Sequence, residues 1–178
     1  MTSRAGPRSN HDARPAPSGS GRFDGRIANA AASLRTAYDQ VAAGARINRP
    51  LILLLAYTGL RFNEAAAMRV GKVDLKGRRI RITTAFAEVE GKLVEQSPKT
   101  GKSRTVPIPP SLVPEPAPLL DGQPDDALVF ATKRGAPLHL RNWRRREFDT
   151  AVRDAELDGL GLTPHELRHT AASLAPAA

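Results

Sequence analysis

Leu162-Thr163-Pro164-His165-Glu166-Leu167-Arg168-His169-Thr170-Ala171-Ala172 is the most informative run of this chain. Thr163 precedes a proline and stands three positions before Glu166, the spacing of a helix start in which threonine and glutamate cap each other. His165 and Arg168 then fall in the first turns, three apart and on one face. The start of a helix also offers unpaired N–H groups and partial positive charge, so the run predicts a phosphate site. Taken alone, it reads rather as a capped surface helix whose His and Arg are solvated. The decision between the two comes from what lies upstream.

Working back from this helix, residues 142–157 read as another helix, flanked and studded by Arg141, Arg144, Arg145, Arg146 and Arg153. That basic run is a DNA-facing patch or a solvated face. Further upstream, Arg79-Ile80-Arg81-Ile82-Thr83 alternates as a half-buried strand does. A turn at Glu90-Gly91 leads into a strand over 92–96. A Pro-Lys-Thr-Gly-Lys turn then leads into a strand over 104–108, which together predict a three-stranded antiparallel meander. Pro107, Pro109 and Pro110 end it, because proline cannot donate to a ladder. Before the sheet, Pro50 opens a helix through Leu51-Ile52-Leu53-Leu54-Leu55 that is apolar all round and must be buried. Gly59 suits its left-handed end, and Asn63 suits the N-cap of a short helix over 64–69. Ile27, Ala31, Leu34, Tyr38 and Val41 recur at helical spacing, with Gly44 as the stop. Residues 1–26 are rich in Gly, Pro, Ser and Arg, without hydrophobic period, and read as a disordered basic tail. The fold class is therefore mixed α/β, mainly helical with a small antiparallel sheet, in one domain over 27–178.

Charge narrows the function. Lys plus Arg number 27 against 18 Asp plus Glu, a net charge of +9. The first 26 residues hold five arginines and two aspartates, or +3, so the folded part keeps +6 (9 − 3). That excess points to a polyanion, nucleic acid before membrane. There is no cysteine, which removes disulfides and thiolate metal sites. No apolar run reaches the roughly 18 residues of a membrane span, and no secretory signal stands at the N-terminus. A cytoplasmic, DNA-associated protein is expected.

Three separated pieces complete the pattern: Ala56-Tyr57-Thr58-Gly59-Leu60-Arg61 with Asn63-Glu64-Ala65 after it, Pro98-Lys99-Thr100-Gly101-Lys102-Ser103-Arg104-Thr105-Val106-Pro107, and the helix at 162–172. In this order they resemble the catalytic domain of tyrosine recombinases of the phage integrase family, over roughly residues 47 to 175. The resemblance implies the DNA breaking–rejoining fold and site-specific recombination or integration of double-stranded DNA. It implies Arg61, Lys99, His165 and Arg168 as catalytic residues, with Lys102 a rival to Lys99. Lys102, Arg104, Arg141, Arg144, Arg145 and His169 are the candidate DNA contacts, with His169 and Thr170 alternatively supporting the site. Two guanidinium forks suit the non-bridging oxygens of a phosphodiester in transfer, and a lysine can protonate the leaving oxygen. No metal and no other cofactor is expected. Family members act as homo-oligomers on DNA. Type IB topoisomerases have a similar residue set, but the Thr-Gly-Leu-Arg and His-Glu-Leu-Arg-His-Thr words fit the integrases better.

Two features depart from that pattern. The family's nucleophilic tyrosine follows the His-x-x-Arg pair by a few dozen residues, and here the only tyrosines, Tyr38 and Tyr57, precede it on apolar helical faces. Trp143 also precedes the pair. The expectation is a copy shortened at both ends, without its C-terminal helices and nucleophile, inactive alone but able to bind DNA. The alternatives are a non-catalytic DNA-binding module and an unstable remnant. His165-Glu166-Leu167-Arg168-His169 also fits the zinc-protease pattern H-E-x-x-H, but a cationic Arg168 inside it opposes metal binding. Gly101-Lys102-Ser103 fails as a phosphate loop, since position 96 is Gln96 where glycine is needed.

Overall fold

The structure is a computed structural model that describes residues 36–42, 48–97, 101 and 103–168. The tail over 1–26 lies outside these residues. So does most of the expected first helix, of which α1, residues 36–42, is described. Ala37, Tyr38, Val41 and Ala42 form its buried stripe. The helix α2, Arg49–Thr58, has Pro50 in its first turn, and Leu51 through Ala56 are all buried. A helix without a polar face has to lie in the middle of the core, and α2 does. The Tyr57 hydroxyl donates to Asp39 at 2.8 Å and joins α2 to α1. Arg49 pairs with Glu115 at 3.0 Å and joins the start of α2 to the segment beyond the sheet.

Gly59 ends α2 at φ 67°, in the left-handed region. This reversal drops Leu60 into the core and brings out Arg61, which starts α3, Phe62–Ala66. Sequence reasoning placed that helix two residues later, capped by Asn63. The cap is instead Arg61, because the Glu64 carboxylate reaches back to its backbone N–H at 2.9 Å.

A short 3-10 turn, Val70–Lys72, leads to β1, Val73–Asp74, followed by β2, Arg79–Ile82. β3, Ala85–Val89, and β4, Lys92–Gln96, come next, and β5, Arg104–Pro107, ends the β region. A three-stranded antiparallel sheet is present, but its members differ from the expected meander. Its order is β1-β2-β5, while β3 and β4 form a separate hairpin. The strand over 92–96 therefore pairs with β3, which was not foreseen. Ala85-Phe86-Ala87 holds two alanines and little of the β-branched signal that marks a strand. Ile80 and Ile82 point inward from β2, with Val106 opposite Ile80. The hairpin turn is the expected Glu90-Gly91, both at positive φ (50° and 76°), which matches the twist of two-residue hairpin turns. β3 lies against α3 through Phe86, which is buried.

Beyond the sheet come a 3-10 turn at Pro110–Leu112 and α4, Ala117–Leu120. The basic helix then spans α5, Leu140–Trp143, a π turn, Arg144–Phe148, and α6, Asp149–Asp154. Sequence reasoning expected one regular helix over 142–157. The wide turn has a packing cause. Trp143 and Phe148 are five residues apart, about 140° apart on a regular α-helix, but a π turn aligns positions i and i+5. Both rings are buried, with centroids 5.7 Å apart, and Trp143 also meets Phe62 of α3 at 4.9 Å. Arg144, Arg145 and Arg146 are left facing solvent. The final helix α7, residues 164–168, follows a 3-10 turn at Asp158–Leu160.

Two substitutions test this frame. Gly59→Ala forces a Cβ into the left-handed region and should cost about 1–2 kcal/mol in urea unfolding. Phe148→Ala should cost about 3–5 kcal/mol, because the aromatic cluster closes poorly around the lost ring. Two unchanged midpoints would mean that neither the reversal nor the cluster holds the fold.

Candidate functional site

α7 carries the cap expected of it. The Thr163 backbone N–H donates to Glu166 Oε2 at 3.0 Å, and the Glu166 N–H donates to the Thr163 hydroxyl at 3.3 Å. Pro164 takes the first helical position, where its missing N–H costs nothing. Leu162 and Leu167 are buried and fix the roll of the helix. His165 is exposed and Arg168 is part-exposed, on the side away from those anchors.

That side meets the end of α2. Arg61, His165 and Arg168 line one cleft of about 260 Å³, with Leu60, Phe62, Asn63, Leu140 and Pro164. Two guanidinium groups and an imidazole thus converge from distant parts of the chain. No carboxylate and no hydroxyl side chain is among these lining residues. Such a cleft is suited to an anion that accepts charge-assisted hydrogen bonds. Its other wall is apolar, from Leu60, Phe62, Leu140 and Pro164.

Behind Arg61 lies a residue to which sequence reasoning gave no role. Glu64 is 2% exposed and serves two arginines. Its Oε1 accepts from Arg61 Nη1 at 3.1 Å, and its Oε2 accepts from Arg104 Nη2 at 2.7 Å. A buried carboxylate is costly unless charges and hydrogen bonds surround it, and this one has both. The available signal was its place three residues after Arg61, where an ion pair within one helix turn forms. Burial, the more telling property, is not written in a single glutamate.

The other expected site residues are placed as follows. Arg104 sits on β5 opposite Ile82 and holds Glu64. Arg141, Arg144 and Arg145 are exposed along the basic helix, whose first residue, Leu140, borders the cleft. Arg144 also pairs with Asp149 at 3.2 Å. Lys99, Lys102 and His169 lie outside the described residues. Tyr38 is buried in the core, and neither it nor Tyr57 lines the cleft. Among the described residues, no group of three or more His, Asp or Glu could hold a metal ion, and no helix is long and apolar enough to cross a membrane.

Similarity to known proteins follows the same lines. The chain is similar in structure to the Tn1549 transposon integrase in complex with circular intermediate DNA, at TM-score 0.63 and 19% identity. That match covers 78% of this chain and 51% of the integrase. It is similar also to XerA recombinase, at TM-score 0.50 and 24% identity, over 86% of this chain and 48% of that one. The chain thus spans about half the length of either. No curated protein matches it in sequence. The profile of the Phage integrase family matches residues 28–174. With that match across most of its length, and with the recombinase catalytic fold around the Arg61 cleft, the chain belongs to the phage integrase family.

Proposed function

We propose that the cleft of Arg61, His165 and Arg168 holds one phosphodiester of double-stranded DNA for strand cleavage and rejoining in site-specific recombination. The observation that carries this is that two arginines and a histidine line one cleft that has no carboxylate among its described lining residues. In such a transfer a hydroxyl oxygen attacks phosphorus and the bond to the 5′ oxygen breaks. Negative charge grows on the two non-bridging oxygens, where Arg61 and Arg168 donate. His165 supplies a third hydrogen-bonding group at the same phosphate. Donors fixed in place before the reaction favour this charge without reorganising. The leaving oxygen takes a proton from a lysine that precedes β5 in the sequence, which we assign to Lys99, with Lys102 the alternative.

The apolar wall and Leu140 lead from the cleft onto the basic helix, so Arg141, Arg144 and Arg145 extend the contact along the duplex. Lys102 and His169 are assigned to backbone phosphates beside it. A related fold solved with circular intermediate DNA supports the choice of partner. Among the described residues, no hydroxyl side chain lines the cleft, and the two tyrosines of this sequence lie in or beside the core. This favours a chain that, by itself, binds and polarises the phosphate without cutting it. A purely DNA-binding module is the second reading, and it rests on that same observation.

Duplex binding tests the first half. Affinity should fall steeply between about 50 and 200 mM salt. The slope of log K against log salt should shrink by roughly 0.9 for each of Arg144→Ala and Arg145→Ala. Salt-independent binding, or none, would remove the DNA assignment. A nicked suicide substrate tests the second half. The chain alone should form no covalent adduct, and an adduct mapping to Tyr38 or Tyr57 would overturn the reading that this chain does not cut by itself.

A further inference from the structure

We propose that Arg104 is a positioning residue that acts on the bound phosphate through Glu64 and Arg61, rather than a contact to DNA of its own. The inference rests on the phosphate cleft proposed above. Arg104 Nη2 lies 2.7 Å from Glu64 Oε2, closer than the 3.1 Å between Arg61 Nη1 and Oε1. The carboxylate is 2% exposed, whereas the two arginine side chains are 38% and 40% exposed. Glu64 is therefore held nearly out of water, while both of its cations remain partly open to it.

Charge gives this arrangement its consequence. Two guanidinium groups and one carboxylate sum to +1 (2 − 1), so one positive charge is in surplus and can face the cleft. Arg61 lines that cleft and Arg104 does not. Without Arg104, the pair Arg61–Glu64 would be neutral, and the buried carboxylate would draw the guanidinium inward for both of its oxygens. Arg61 would then meet a phosphate as half of an ion pair. Arg104 is well placed to prevent this because its backbone is fixed in the sheet, with Arg104 opposite Ile82 and Thr105 opposite Arg81. β5 is in this way tied to the phosphate-binding arginine through one side chain.

The experiment uses the whole chain, inorganic phosphate followed through the His165 ring signals by NMR, and nonspecific duplex DNA titrated across salt. Arg104→Gln should weaken phosphate binding roughly tenfold, the worth of one charge-assisted hydrogen bond, and leave the duplex salt slope unchanged. Arg104→Lys should recover most of the loss. The double variant Glu64→Gln with Arg104→Gln should bind phosphate within about threefold of the parent, because no buried charge remains to be balanced. It also serves as a folded control, since it leaves no unpaired carboxylate. A slope reduced by about 0.9 with phosphate affinity intact would make Arg104 a direct DNA contact and overturn the proposal. Equal losses in the single and double variants would overturn it as well. Failure of the parent chain to bind phosphate would instead sink the cleft itself, whereas normal parent binding with an unaltered Arg104→Gln would sink only the role of Arg104.

Discussion

Glu64 is a negative charge held almost out of water between two arginines, and much of the surrounding architecture is what makes that placement tolerable. The carboxylate caps α3 through the Arg61 backbone and so fixes where that helix starts. It takes a second arginine from β5, and this joins the helical part of the molecule to the sheet. A buried ion cluster is weak evidence for added stability, since well-packed apolar groups often do as well. It is better understood as a device of placement. Apolar packing alone does not fix the direction of a guanidinium group, whereas a charged anchor with defined hydrogen bonds does.

The apolar core supplies the rigidity on which that anchor depends. α2 is buried on all sides, so its C-terminal end cannot shift without disturbing the centre of the molecule. Gly59 converts that fixed end into a sharp reversal, and Arg61 follows two residues later. On the opposite wall, Leu162 and Leu167 hold α7 against the core while His165 and Arg168 stay accessible. Phe62 belongs to both structures: it lines the cleft and packs at a tilt against Trp143, so the π turn within the basic helix also shapes the site. Core packing and the cleft share residues here, so the groups lining the cleft are held in place before any ligand arrives.

Much of this was legible in the sequence, for definite reasons. Gly59, Pro50 and the Thr163–Glu166 cap are local signals whose meaning does not depend on the rest of the chain, and each is found where expected. The convergence of Arg61 with His165 and Arg168 was legible only through resemblance, because no local rule brings residues so distant together. Three things were not legible. The alanines of β3 concealed a strand, so the sheet was assembled from the wrong members. The π turn has no sequence signature of its own and arises because Trp143 and Phe148 both need the core. Glu64 looked like any polar residue of a short helix, and only the tertiary fold reveals that it is enclosed and doubly paired.

The central claim is geometric: three side chains from two distant stretches of the chain address a single phosphate. A crystal structure with bound tungstate, a heavy-atom mimic of phosphate, tests it most directly. The account predicts one anomalous peak within hydrogen-bonding distance of Arg61, His165 and Arg168 together. A peak held only by the arginines of the basic helix, with the cleft vacant at saturating tungstate, would contradict it.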